Sequence, residues 1–399
     1  MNDEAMQSMT KNSSKSSATV LPEDLILEIL SRLPVKSLLR FKSVSKSWYA
    51  LIQNPNFVFK HLQNFTIPSR NRDFIFLHRK DPVIGMEKNG LTSLSGKNLE
   101  VSFPIEIPNS FKKANRIEIS GPSNGIYCVL TENGITLWNP ALRELRFLPK
   151  HAIPFSAFVG SACAFGFDCL SDDYKVIRKL LPKRGGPGTA TASGARMFEV
   201  YSLNTDSWKI VNVYEDSLVF LENHCVNLNG IIYWAGYKEK REAFILKSVF
   251  AFNLGNEEYF EIPPPVFDKK KTFDVSMLNE SIALIAYGLD VRSASQRFDV
   301  WVLSESYGSN GNNGDLWTFL LRLEPHIPKV LSPLWFQRNG ELVLFKNQKI
   351  IMLDPNCQGI KRIPIPRSRQ VLFNEESLIS IKGGKCISYD EETSHHFET

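Results

Sequence analysis

Along residues 21 to 62, LPEDLILEILSRLPVKSLLRFKSVSKSWYALIQNPNFVFKHL, large apolar side chains recur at helical spacing. Leu25, Ile26, Ile29, Leu30 and Leu33 follow the i, i+1, i+4, i+5, i+8 order of one helical stripe, which Pro34 ends. Leu21 precedes Pro22, Glu23 and Asp24, so a fixed φ and two carboxylates stand where a helix start exposes free N–H groups and positive dipole. A second short helix is predicted over Val35 to Phe41. Val44, Trp48, Leu51 and Ile52 form a third stripe, closed by Asn54 and Pro55, and Phe57, Phe59 and Leu62 predict one further turn or two. A stretch of about 40 residues seldom builds a self-sufficient core, yet this one carries many aliphatics and a Trp, each worth roughly 1.5–3 kcal/mol when buried. The surplus apolar surface predicts a docking module whose partner covers part of it.

Beyond Leu62 the pattern changes. The polar stretch 63 to 72, with Pro68, Arg70 and Arg72, reads as a linker. From 73 to 390, β-branched and aromatic runs such as FIFLH, NGIYCVL, ITLWNP, FEVYSL, NGIIYWAG, SVFAFNL, SIALIAYG, FDVWVL, GELVLF and IIMLDP alternate with Gly, Asn, Asp and Pro clusters, an all-β signature. A strand that ends in a polar turn and climbs into a second strand recurs, its turns at Asn139, Asn204, Asn253, Ser304 and Asp354. The intervals are 65, 49, 51 and 50, and the long one holds the Gly-rich insertion RGGPGTATASG. A period of about 50 with four short strands is that of a propeller blade. Five blades are countable, and a sixth is predicted from residues 371 to 383 joined to 74 to 104, which closes the ring and removes exposed edges. The fold class is therefore mainly β with a small all-α N-terminal module, preferentially a six-bladed propeller; the residues leave an irregular β-sandwich open.

Composition adds exclusions. Hydrophobic residues make up 43% and charged residues 22% of the 399, and no apolar run approaches the roughly 20 residues of a membrane span. Residues 1 to 20, rich in Ser, Asn and Lys, read as a disordered leader without signal-peptide character, and 391 to 399 as a charged tail. A cytosolic or nuclear protein is expected, with its scattered cysteines reduced and buried. The net charge is +5, and eight Lys or Arg with no Asp or Glu lie between Ile29 and Arg72, against 39 basic and 42 acidic residues elsewhere. The helical module is thus the basic part of the chain, suited to an acidic partner surface.

Catalytic patterns are weak. No HExxH, GxSxG or GxxxxGK[ST] occurs, and the seven histidines are dispersed apart from His395 and His396. Gly185, Gly186, Gly188 and Gly194 lack the Lys-Ser or Lys-Thr of a phosphate loop and read as a flexible connection. Asp172 and Asp173 read as a hairpin turn. Lys42 and Lys46 invite comparison with a DNA-reading helix, but Val44 and Trp48 put apolar bulk on the face such a helix keeps polar. No cofactor, metal, nucleic acid or membrane is expected. The rival reading is a propeller enzyme or carbohydrate- or protein-binding module with an accessory helical arm.

Two resemblances sharpen this. LPEDLILEILSRLPVKSLLRFKSVSKSW resembles the F-box, the motif that binds the Skp adaptor of SCF ubiquitin ligases, and the match runs ungapped through the Leu-Pro start, the Ile-Leu pair, the Leu-Pro-Val break, the Leu-Leu pair and Val-Ser-Lys-Ser-Trp. GPSNGIYCVL, LWNPALRELRFLP, AFGFDCLSDDYKVIRKL, FEVYSLNTDSWKIV and DVWVL look like the plant F-box-associated domain, type 1, including its S-locus F-box and F-box/kelch-repeat-like members. The spaced Gly-Gly, Tyr and Trp of true kelch repeats are missing, so the likeness to kelch is partial. The resemblance implies a three-helix F-box over 21–62, a kelch-like propeller over 73–390, and a non-catalytic substrate receptor. Such a receptor joins a cullin and a RING subunit through the adaptor and holds a target protein, of which a pistil S-ribonuclease is one family example. Matched position by position, the adaptor surface it implies comprises Leu21, Pro22, Ile29, Leu30, Leu33, Pro34, Val35, Leu38, Leu39, Val44, Lys46, Trp48, Leu51 and Ile52. Residues 182 to 196 and 305 to 315 are the long connections expected to carry target recognition.

Overall fold

The structure, a computed structural model, describes residues 21–66 and, within 74–386, all but the connections 80–88, 96–99, 152–157, 183–193, 216–217, 240–244, 268–270, 291–294, 305–315, 326–331, 338–339, 347–348, 357–358 and 364–367. The leader, the tail, most of the linker, residues 183 to 193 of the first long connection named above and the whole of the second lie outside the described residues. The chain divides into two compact units at Asn64 and Phe65.

In the first unit, helices α1 (Glu23–Leu30), α2 (Val35–Phe41) and α3 (Lys46–Gln53) stand where the apolar stripes predict them. Pro22 and Pro34 occupy the positions before α1 and α2, and the Ser45 hydroxyl accepts the Trp48 N–H at 3.2 Å to start α3. The fourth element is longer than the predicted turn or two. Helix α4 runs Pro55–Thr66, three full turns that take in the first residues assigned to the linker. Its inner face explains the length. Phe57 is 2% exposed and stacks on His61, whose Nε2–H donates to the Leu33 carbonyl at 2.9 Å. Asn64 Nδ2 donates to the Ser31 carbonyl and hydroxyl at 3.2 and 2.9 Å. Both contacts tie α4 to the break between α1 and α2, satisfying backbone groups that the end of α1 leaves open.

In the second unit the described strands form six sheets in a ring, which decides the architecture in favour of the propeller and against the sandwich. The second to sixth sheets are consecutive antiparallel meanders. The second holds Ile117–Ser123, Ile126–Thr131, Gly134–Asn139 and Glu144–Phe147, and the third Phe158–Asp168, Asp173–Pro182, Gly194–Ser202 and Ser207–Glu215. The fourth holds Leu218–Leu228, Ile231–Glu239, Ile245–Asn253 and Tyr259–Ile262, and the fifth Thr272–Leu278, Ser281–Asp290, Ser295–Leu303 and Trp317–Leu323. The sixth holds Ser332–Phe336, Leu342–Lys346, Lys349–Leu353 and Ile360–Ile363. The first sheet is composite: Ser368–Phe373 supplies the innermost strand beside Phe74–Arg79, Asn89–Ser95 and Glu100–Ile105.

Each sheet is buried on both faces, so its strands read as near-continuous apolar runs. In Ser281–Asp290, Leu284 packs toward the fourth sheet and Ile285 toward the sixth. Six buried clusters result, one in every seam of the ring, including Phe74, Leu94, Trp335 and Val343 between the sixth and first sheets.

Two details correct the sequence reading. The closing strand ends at Phe373, and residues 374 to 386 leave the first sheet to cross the second. Ser377 donates to the Asn124 carbonyl at 2.6 Å, Asn139 Nδ2 donates to the Ile379 carbonyl at 2.8 Å, and Lys385–Cys386 adds a fifth strand beside Glu144–Phe147. The recurrent turn also starts at Ser202 in the third sheet, not at Asn204. Asn139, Asn253 and Asp354 each accept the N–H two residues on, at 3.0, 2.8 and 2.8 Å, and Ser202 Oγ accepts the N–H three residues on, from Thr205, at 3.2 Å. Four residues after the first member, Arg143, Asp206 and Glu257 take positive φ of 56, 51 and 59°.

Candidate docking surface

Burial sorts the predicted adaptor residues into two groups. Leu30, Val35, Leu38 and Ile52 are at most 2% exposed, packed inside their own helical unit. They hold the module together and offer no surface in this state, which corrects their assignment to the docking face. Leu21, Ile29 and Val44 are 52, 52 and 62% exposed, and Pro22, Pro34 and Lys46 are exposed with them. Leu33, Leu39, Trp48 and Leu51 are half-buried, Trp48 meeting Phe41 edge-on at 5.3 Å.

The sequence reading merged two faces of α1. Its apolar residues lie on an inner line through Ile26 and Leu30 and an outer line through Leu25 and Ile29, continued by Leu21 before the helix. Leu25 was missed as a surface residue because an apolar stripe two residues wide gives no sign of which edge faces the core. Tyr49 and Phe59, 49 and 61% exposed, were missed for the same reason. Large apolar side chains exposed at this density on so small a unit mark an interaction surface.

The basic character of the unit is partly offset. Glu28, just outside the acid-free stretch, accepts from Arg32 Nε at 2.9 Å and pairs with Lys60 at 2.7 Å. Those two cations hold its carboxyl below the usual range. Lys46 and Arg40 are exposed beside the apolar residues.

The residues that carried catalytic interest serve structure. Asp173 is 3% exposed and accepts from Ser202 Oγ at 2.6 Å and the Asn204 N–H at 2.9 Å; Asp172 takes the positive φ of the hairpin turn. His78 is buried against the Thr92 hydroxyl at 2.9 Å. Among the described residues no three His, Cys, Asp or Glu are grouped to hold a metal ion, and no helix is long and apolar enough to cross a membrane. Contact with Cys163 and burial push the Cys128 thiol up, and burial pushes Cys225 up to about 11, so both are protonated thiols. Cys169 and Cys386 are exposed, contrary to the expectation that all the cysteines are buried.

A small helical unit with an exposed apolar surface, followed by a six-bladed propeller, defines a docking module joined to a binding scaffold. The F-box domain matches residues 19–60 and the F-box associated beta propeller domain residues 82–371. The chain belongs to the F-box proteins that carry this propeller. Relatives in Arabidopsis thaliana include F-box/WD-40 repeat-containing protein 1, 28% identical over 86% of this chain and 78% of that protein. An F-box/kelch-repeat protein is 29% identical over 71% of each chain, and F-box protein CPR1 25% identical over 84% of this chain and 80% of its own. Among solved structures, TolB from Acinetobacter baumannii is similar at a TM-score of 0.41 and 11% identity, over 80% of this chain and 70% of that one.

Proposed function

We propose that this chain is the substrate-recognition subunit of an SCF ubiquitin ligase. The observation that carries the reading is the exposed apolar surface of the helical unit, Leu21, Leu25, Ile29 and Val44, on a module whose inner core is already complete. That surface gains by burial against the Skp-type adaptor, with Pro22, Leu33, Pro34, Leu39, Lys46, Trp48 and Leu51 at its margins. The adaptor connects the chain to cullin and RING subunits. The propeller holds the target protein, and the chain itself catalyses nothing: it raises the local concentration of target lysines near the charged ubiquitin carrier.

The test is affinity capture of the full chain under proteasome inhibition, beside a Leu21→Ala/Ile29→Ala/Val44→Ala variant. Wild type should bring down adaptor, cullin and target together; the variant should keep the target and lose the ligase subunits. Absence of the adaptor from the wild-type complex would end the receptor reading.

A further inference from the structure

Between α2 and α3 the exposed apolar surface of the helical unit adjoins an exposed hydroxyl. Ser43 and Val44 are neighbours and both stand out, Val44 at 62%. Ser43 Oγ–H donates to the Arg40 carbonyl at 2.7 Å. The next two hydroxyls are engaged at the start of α3, where Ser45 accepts the Trp48 N–H at 3.2 Å and lies 3.0 Å from Ser47 Oγ. Arg40, exposed, stands three residues before Ser43 and Lys42 directly before it, in a stretch from Ile29 to Arg72 that holds no acid. That arrangement is rare in this chain. Of all its arginines only Arg40 and Arg292 have a Ser or Thr three residues on, and the second acceptor, Ser295, lies in a strand opposite Asp290.

We propose that Ser43 is the phosphorylation site of a Ser/Thr kinase that reads basic residues, and that the phosphate releases the Skp-type adaptor. The release rests on the receptor reading; the modification does not. Kinases of this kind line the peptide groove with carboxylates that pair with cations ahead of the acceptor. The groove takes an extended peptide. The N–H groups of residues 42, 43 and 44 are bonded back to Leu38, Arg40 and Phe41, so fraying of the last turn of α2 presents the segment. Ser43 Oγ then bonds to the γ-phosphorus of Mg–ATP as the bond to the β-phosphate oxygen breaks; ADP leaves, and the hydroxyl proton passes to the kinase's catalytic carboxylate. The product carries a charge of roughly −1.5 to −2 beside Val44, on a surface whose cations suit an acidic partner. Like charges then face each other across the interface and weaken it. The phosphate also follows directly on Lys42, which ends α2, and so stands at the negative end of that helix. An adaptor seated over Val44 shields Ser43 in return.

The experiment incubates the full chain, alone and co-purified with a Skp-type adaptor, with Mg–ATP and calcium/calmodulin-dependent protein kinase II, which selects an arginine three residues before the acceptor. Mass spectrometry locates the phosphate. Ser43 should be labelled in the free chain, Arg40→Ala should slow that labelling about tenfold or more, and bound adaptor should slow it as much. Calorimetry should show the phosphorylated chain binding adaptor about tenfold or more weakly, with full recovery after phosphatase treatment. Ser43→Ala should bind like the wild-type chain and ignore the kinase; circular dichroism verifies that each variant is folded. A free chain without phosphate on Ser43, labelling indifferent to Arg40→Ala, or a phosphorylated chain of unchanged affinity overturns the proposal. Failure of the unphosphorylated chain to bind adaptor would count against the receptor reading, since labelling of Ser43 in the free chain is scored without it.

Discussion

The carboxylate of Glu144 accepts the backbone N–H of Ile381 at 2.7 Å, joining the outer strand of the second sheet to a segment more than two hundred residues later in the chain. Ser380 donates to the same carboxylate at 2.9 Å, and the Ile381 side chain, 2% exposed, fills the seam between the second and third sheets beside Tyr201 and Leu203. Residues 374 to 386 therefore latch the ring a second time, after the closing strand Ser368–Phe373.

This latch has a measurable weight. Ile381→Ala should lower the stability of the propeller by about 2–5 kcal/mol, since it removes a buried branched side chain from that seam. Glu144→Gln should cost less, about 1–2 kcal/mol, because the amide oxygen still accepts one bond. Urea unfolding followed by tryptophan fluorescence separates the two; equal effects would mean that the segment is held by its hydrogen bonds and not by packing.

Arg178 and Glu199 lie opposite each other on adjacent strands of the third sheet, both wholly buried and ion-paired. Glu199→Gln should destabilise the protein by about 3–5 kcal/mol by removing the negative charge paired with a wholly buried cation. The double replacement Arg178→Met/Glu199→Leu should recover most of that loss, as the apolar residues Val176 and Tyr201 share the pair's face of the sheet. A double variant as unstable as the single one would show that the pair supplies something beyond mutual neutralisation.

The helical unit should weaken in acid. Burial holds the His61 imidazole below its ordinary pKa, and its Nε2–H is committed to the Leu33 carbonyl. The unfolded chain therefore takes up the proton more readily than the folded one. Stability from this group is full above the unfolded-state pKa of about 6.5 and falls as the pH drops through it. Thermal melts of the adaptor-free chain between about pH 5.5 and 7.5 should show this slope, and His61→Gln should flatten it at some cost in stability at neutral pH. An unchanged slope in that variant would place the titrating group elsewhere.

Much of this architecture was readable in the residues. Asn139, Asn253 and Asp354 gave the repeat, because a side chain that accepts the N–H two residues on makes the same turn in the second, fourth and sixth sheets. Asn204 misled because Ser202 performs that task with a hydroxyl, two positions earlier. The crossing of 374 to 386 onto the second sheet was not legible, since it depends on Asn139 and Glu144 contacts that no local pattern announces. In the docking module, helix spacing located the apolar residues of α1 but gave Leu30 and Ile29 the same standing. Only the packing of Phe57, His61 and Asn64 on the inner side separates a core residue from an exposed one.

The measurement that bears most directly on the receptor reading is the affinity of the full chain for a Skp-type adaptor, by calorimetry or biolayer interferometry. Leu21→Ala/Ile29→Ala/Val44→Ala removes only exposed side chains, so the fold should persist while binding weakens about 100-fold or more, at roughly 1 kcal/mol or more for each anchor. An affinity equal to that of the wild-type chain, in a variant with unchanged unfolding, would contradict the assignment of this surface to the adaptor.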